Sequence, residues 1–150
     1  MPGQSGHDGD PARAGAGARR RHESTCTGAA DGYARLAGKP ALALLHLGPG
    51  LATGAANLHN ARRAKAPVIA LVGEHASWHL SADAPLTMPI EPLAGTFSRW
   101  VGRVESADAA ARTMVEAFAG AVGGNGGVAT LVFPHDFQLA EAADASVEAP

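Results

Sequence analysis

Residues 41–47, ALALLHL, are apolar at every position except His46, with Pro40 before them and Gly48-Pro49-Gly50 after. A short unbroken apolar run between breakers reads as a strand buried on both faces, and such strands belong to parallel sheets covered by helices. The flanking segments agree. Over residues 24–38, Cys26, Ala29 or Ala30, Tyr33 and Ala37 recur at helical spacing; Ser24 or Thr25 is placed to cap the start, and Gly38 before Lys39-Pro40 to end it. Gly28 and Gly32 cost this helix about 1 kcal/mol each relative to alanine, which implies close approach to a neighbouring backbone or a ligand. Beyond the glycine turn, residues 51–64 put Leu51, Ala55, Leu58 and Ala61 or Arg62 on one helical face, leaving Asn57, His59, Asn60 and Arg63 to other faces.

The same alternation continues. Residues 67–72 (PVIALV) form a second buried strand ended by Gly73, followed by a long loop with Pro85, Pro89 and Pro92 and a short helix near 90–93. Loops of that length are commonly functional. Residues 98–104 (SRWVGRV) make a less apolar strand suited to a sheet edge. Ser106 caps a helix to Val122 with Ala107, Ala111, Met114, Phe118 and Val122 on one face, and the run of glycines at 123–127 stops it. Residues 128–133 (VATLVF) make a fourth strand, which exits at Pro134-His135-Asp136. The expected fold is α/β, a mostly parallel sheet with helices on both faces. Ligands on such sheets lie at the carboxyl ends of the strands, where His46, the Gly-Pro-Gly turn, the Gly73 loop and Pro134-His135-Asp136 all fall.

Composition narrows the function classes. At 150 residues the chain has room for one core. Residues 1–22 carry four Arg against two Asp, and the rest carries eight Lys or Arg against twelve Asp or Glu, for a net charge of -2. No basic stripe marks a nucleic-acid surface. No apolar run approaches the roughly 20 residues that span a bilayer, and no export signal follows Arg19-Arg20-Arg21, so the expected location is cytoplasmic. Cys26 is the one cysteine, which excludes an intrachain disulfide and fits a small core residue or a thiol in a reducing compartment.

Several motifs carry less than they promise. Gly48-Pro49-Gly50-Leu51-Ala52-Thr53-Gly54 misses the dinucleotide fingerprint by one residue, because the third glycine falls at 54 and not at 53. His75 and His79 have the i, i+4 spacing of metal ligands but lack the glutamate of a zinc-protease motif and stand in a loop. Glu23 alone is an ordinary acidic residue at a helix start. His46, a lone polar residue at the end of an apolar strand, is either bonded within the core or faces a site.

Taken together, E-x-x-x-x-G-A-A-D-G-Y-A-R from Glu23, then H-L-G-P-G from His46 and N-L-H-N-A-R-R-A from Asn57, resemble the N-terminal pyrimidine-binding domain of thiamine diphosphate-dependent enzymes. The resemblance is to benzoylformate decarboxylase-like and acetolactate synthase-like members, whose activities are those of lyases and transferases, and it covers about residues 23–138. It implies that Glu23, eight residues before Asp31, is the catalytic carboxylate that shares a proton with the cofactor's aminopyrimidine ring. It also implies that His46 is a second catalytic residue contacting a small 2-oxo acid substrate, and that Gly48, Pro49, Gly50 and Asn57 bind cofactor. Magnesium enters only through a diphosphate-binding domain, which this chain lacks or a partner supplies, so a homo-oligomer or such a partner is expected. On this reading residues 1–22 are a disordered leader, 23–138 the pyrimidine-binding domain and 139–150 a linker remnant. The strands that precede the glutamate in the family are missing, and the chain is expected to be an incomplete fragment. The alternative is a non-catalytic module that associates with a complete subunit or with its own copy.

Overall fold

The computed structural model describes residues 22–143 and 147; the leader expected over 1–22 lies outside them apart from His22, as does most of the segment after 143. The elements run α1 (Glu23–Ala37), β1 (Ala41–His46), α2 (Leu47–Ala64), β2 (Val68–Glu74), a 3-10 turn (Ser77–Ala82), α3 (Ile90–Gly95), β3 (Trp100–Arg103), α4 (Ala110–Val122), β4 (Val128–Pro134) and α5 (His135–Leu139). Four strands form one sheet in the order β1-β2-β4-β3, and every neighbouring pair is parallel. This is the α/β architecture expected from the alternating pattern.

The strand order contains a reversal: the chain steps from β1 to β2, passes over one place to β3, and returns to β4. With crossovers of constant hand, the returning connection must lie on the opposite face of the sheet from the others. The packing obeys this. Leu45, Val68, Ala70 and Val72 share a core with Ala34 of α1, Leu51 and Leu58 of α2 and Ile90 of α3. On the other face Ile69, Ala129 and Leu131 pack against Ala117 and Ala121 of α4.

Three expectations are corrected. β1 is not buried on both faces: Leu42 and Leu44 are 53% and 66% exposed, while Ala41, Ala43 and Leu45 face α1 and α2. A continuous apolar run cannot report whether anything covers its second face, and among the described residues nothing does. The inward stripe of α1 is Thr27, Ala30 and Ala34, one position away from the expected one, leaving Tyr33 54% exposed. In α4 the fully buried positions are Thr113, Ala117 and Ala121, while Met114 and Phe118 of the expected face pack partly buried against the same core and Val122 is exposed. In both helices alanine occupies neighbouring stripes, so the apolar pattern alone does not choose between them. Finally, Gly48-Pro49-Gly50 is no turn before a helix but the first turn of α2 itself. The first four N–H groups of a helix have no intrahelical acceptor, so a proline there forfeits nothing.

α1 lies against α2 through small residues. The Thr27 hydroxyl is 3.0 Å from the Gly54 carbonyl and 3.1 Å from that of Glu23, so its single proton bridges the two helices. A Cβ at Gly54 would meet Thr27 Cγ2 at 2.8 Å, whereas one at Gly32 would meet nothing within 4 Å. Alanine gains about 1 kcal/mol over glycine in a helix, and overpacking costs about 1–3 kcal/mol. Gly32→Ala is therefore expected to raise Tm and Gly54→Ala to lower it, as a thermal melt will show.

Candidate active site

The site forms where β1 ends. Leu47 takes a left-handed backbone conformation (φ 56°) as the chain passes from His46 at the strand's end directly into α2. Glu23 is the first residue of α1. Between these two side chains lies Gly50: a Cβ built there would stand 3.5 Å from Glu23 Cγ, 3.6 Å from its Oε1 and 3.7 Å from His46 Cβ. These are ordinary contact distances, so the Glu23 and His46 side chains both start beside Gly50. Among the described residues neither the Glu23 carboxylate nor the His46 ring has a hydrogen bond or ion pair.

The other named residues are placed differently. Gly48 packs on Met88, whose Cβ lies 2.2 Å from where a Gly48 Cβ would be, so its smallness serves packing. Pro49 is exposed. Asn57, two helical turns beyond Gly50, donates its side-chain amide to the Ser24 carbonyl at 2.6 Å and so ties α2 to the start of α1, one residue from Glu23.

Beside His46 a cavity of about 450 Å³ opens at the carboxyl ends of β1, β2 and β4, lined in part by Leu47, Glu74, His75, Trp78 and His79. Glu74, the last residue of β2, is 5% exposed. Its Oε1 accepts the His75 backbone N–H at 2.8 Å, and its Oε2 is 3.7 Å from Arg103 Nη2 at the end of β3. Arg103 also donates through Nε and Nη2 to Glu91 of α3 at 2.6 and 2.5 Å. This network escaped the sequence reading, which ended the second strand at residue 72, two short of Glu74. The available signal was a carboxylate standing at the tip of an otherwise apolar run.

Residues 18–95, just over half of the chain, match the family model described as thiamine pyrophosphate enzyme, N-terminal TPP binding domain. The chain belongs to this family. It is 49% identical over 128 residues to a Mycobacterium tuberculosis protein that carries the name of an acetolactate synthase large subunit, IlvX, covering 85% of this chain and 25% of that protein. It is 32% identical over 120 residues to the acetolactate synthase isozyme 2 large subunit of Escherichia coli, covering 80% of this chain and 22% of the relative. Among solved structures, the thiamine diphosphate-dependent 4-hydroxybenzoylformate decarboxylase of Rhodococcus jostii superposes with a TM-score of 0.78 at 22% identity, over 87% of this chain and 26% of that one, a likeness of fold. The chain thus spans about a quarter of the length of these relatives.

For a thiamine pyrophosphate enzyme domain, the residues present suit the pyrimidine end of the cofactor. A carboxylate with no hydrogen bond or ion pair among the described residues stands beside a glycine, where a backbone without a side chain can come close to a flat ring. The Asp31 of the A-A-D-G-Y-A-R run has a structural task instead: it holds Arg35 in a two-pronged ion pair at 2.7 Å along α1. His75 and His79 meet edge to face with ring centroids 5.8 Å apart, and among the described residues no three metal-ligating side chains converge. No helix among them is long and apolar enough to cross a membrane.

The segment carrying these two histidines is clamped to the end of β4. Asp136 accepts the Ser77 backbone N–H at 3.0 Å and the Ser77 hydroxyl at 2.5 Å, and the hydroxyl bond foremost holds its carboxyl below the ordinary aspartate value of 3.8. A carboxyl whose folded-state pKa is depressed stabilises the fold above its unfolded value and ceases to do so as pH falls through the folded one. Asp136→Asn is therefore expected to lower Tm at neutral pH, with the difference from wild type shrinking once the pH drops below 3.8. Paired melts across that range check this.

Proposed function

We propose that this chain supplies the aminopyrimidine-binding half of a thiamine diphosphate site in a 2-oxo acid decarboxylase or acetolactate synthase-like enzyme. The observation that carries the reading is the Glu23 carboxylate, without a hydrogen bond or ion pair among the described residues, next to His46 beside Gly50. Bound thiamine diphosphate supplies the electron sink for carbon–carbon bond cleavage or formation next to the substrate carbonyl. The chain's residues do the rest on this side of the site. Glu23 holds a proton between its carboxylate and the ring nitrogen, Gly50 lets the ring approach, Asn57 fixes the start of α1 through Ser24, and His46 gives or takes a proton at the substrate. The diphosphate and its Mg2+ fall to a second domain, from chain beyond this sequence or from a partner subunit.

Thermal melts with and without thiamine diphosphate test the reading. Cofactor at about ten times its Kd stabilises the folded state by about 1.4 kcal/mol, a rise in Tm of about 3–5 °C for a chain this size. No shift at saturating cofactor overturns it. A second reading, an association module, is favoured by β1: the strand presents an open edge and the exposed Leu42 and Leu44, with no charged residue to guard it. Under that reading Glu23 could be replaced without loss of association.

A further inference from the structure

We infer that the amino-terminal end of the sheet, opposite the candidate site, is a docking surface for an acidic segment of a partner protein, with Lys39, Arg62, Arg63, Lys65 and Arg99 as its cations and Leu36 as its apolar anchor. All neighbouring strands are parallel, so their starts share one end, while His46 and the Glu74 turn stand at the other. Residues 35–40, 60–67, 95–99 and 122–127 make up the first end. Hydrogen bonds knit them together: the Ala41 N–H donates to the Pro67 carbonyl at 3.0 Å, that of Val68 to Gly127 at 3.1 Å, and Arg35 Nη2 to the Asn60 carbonyl at 3.4 Å.

These four segments hold six basic residues, the five above and Arg35, and no Asp or Glu; all six are exposed. The rest of the described chain holds only Arg103 and Arg112 against ten carboxylates. Arg35 is paired with Asp31, whereas among the described residues the other five form no ion pair. Cations are favoured at a helix C-terminus, which accounts for Arg35, Arg62 and Arg63 in the last turns of α1 and α2. It does not account for Lys39 ahead of β1 or Arg99 ahead of β3, nor for the exclusion of acids from all four segments. Like charges gathered at one end repel one another, and an anionic partner relieves that repulsion. Two of the cations are fixed in advance: Arg62 Nη1 donates to the Thr96 carbonyl at 2.5 Å, and Arg99 Nη1 to the Gly123 and Gly126 carbonyls at 2.6 and 2.9 Å. Bonds to carbonyls hold a guanidinium in place without neutralising it, so a partner meets charges that are already ordered.

Leu36 points to the class of partner. It is 92% exposed, adjacent to Arg35 and three residues before Lys39. An apolar side chain standing among charges matches the apolar centre and polar rim of protein–protein interfaces. A single-stranded nucleic acid would call for exposed aromatic rings on which to stack its bases; the only aromatic residue in the four segments is Phe97, which is 2% exposed. Phosphate recognition favours free guanidinium forks, and those of Arg62 and Arg99 already bond carbonyls.

A fluorescent peptide repeating glutamate, glutamate and leucine is the probe, titrated with the full chain and followed by anisotropy; the same peptide with glutamine in place of glutamate is the control. The acidic peptide is expected to bind saturably, and about tenfold more weakly when salt rises from about 0.05 M to about 0.5 M, because screening shortens the reach of each charge. The control is expected to bind about tenfold more weakly at low salt, for want of the complementary charge. Lys39→Glu combined with Lys65→Glu is expected to weaken the acidic peptide about tenfold by reversing two charges, and Leu36→Ser about threefold by removing the anchor. Both lysines are exposed and form no ion pair among the described residues, so the double variant is expected to keep a cooperative melt. Absence of binding at low salt, equal binding of the glutamine peptide, or unchanged binding in the folded double variant overturns the inference. Unchanged binding in Leu36→Ser removes the argument for a protein partner and overturns it too. Tighter binding of a DNA duplex or of phosphatidylglycerol vesicles than of the peptide overturns it as well, and assigns these cations to a phosphate-bearing partner.

Discussion

Glu23→Gln is expected to leave the fold intact and to loosen thiamine diphosphate binding by roughly tenfold to a hundredfold. The two side chains have nearly the same shape, and the residue is the first of α1, so the fold loses only a favourable charge near a helix N-terminus, about 0.3–1 kcal/mol. No protein partner is lost, because among the described residues the carboxylate has none. Binding loses more. A hydrogen bond with an ionised partner is worth about 1.5–3 kcal/mol, and each 1.4 kcal/mol is about a factor of ten in Kd. Isothermal titration of wild type and variant with thiamine diphosphate measures the ratio, and equal affinities would remove Glu23 from the site. Glu23→Ala is a poorer test, because it removes the side-chain methylenes together with the carboxylate and so mixes a change of shape with the loss of charge.

The largest stability effect is expected at Arg103→Met, a loss of about 3 kcal/mol. Removing one partner of a buried ion pair costs about 3–5 kcal/mol, because it strands the other charge away from water. Here that charge is Glu74, whose side chain is 3% exposed, and Arg103 at 23% is partly solvated, which places the effect at the lower end. The Glu74 carboxylate would keep only the His75 N–H. Adding Glu74→Gln to Arg103→Met neutralises the stranded charge, so the double variant is expected to be more stable than Arg103→Met alone. Urea unfolding of the wild type, both single variants and the double closes the cycle. Additive effects would show that Glu74 and Arg103 do not communicate, and that the 3.7 Å separation is not an interaction.

The effect reaches the site because Glu74 is both the end of β2 and the acceptor for His75. Loss of Arg103 should loosen the turn that carries His75 and His79 from one end, as loss of Asp136 does from the other. The candidate site thus consists of two parts with different origins: the Glu23, Gly50 and His46 group at the junction of α1, β1 and α2, and the turn carrying His75 and His79, set by contacts among β2, β3, α3 and the end of β4.

Sequence alone determined the class of fold and that Glu23, His46 and Gly50 lie close along the chain. Apolar runs of strand length alternating with helical patterns fix a parallel α/β sheet, because each strand's burial demand repeats along the chain at short range. Glu23, His46 and Gly50 fall within one stretch of 28 residues, inside the 18–95 segment that matches the family model. Tertiary structure alone decided the rest. Whether Leu42 and Leu44 are covered depends on what stands beyond β1, and the inward stripe of α1 carries Thr27, whose hydroxyl meets the Gly54 carbonyl 27 residues away. Glu74, Glu91 and Arg103 are separated by 17 and 12 residues and lie on three elements. Local periodicity carries no record of such a meeting, since it is the strand order β1-β2-β4-β3 and the packing of α3 that bring three charges into one low-dielectric place.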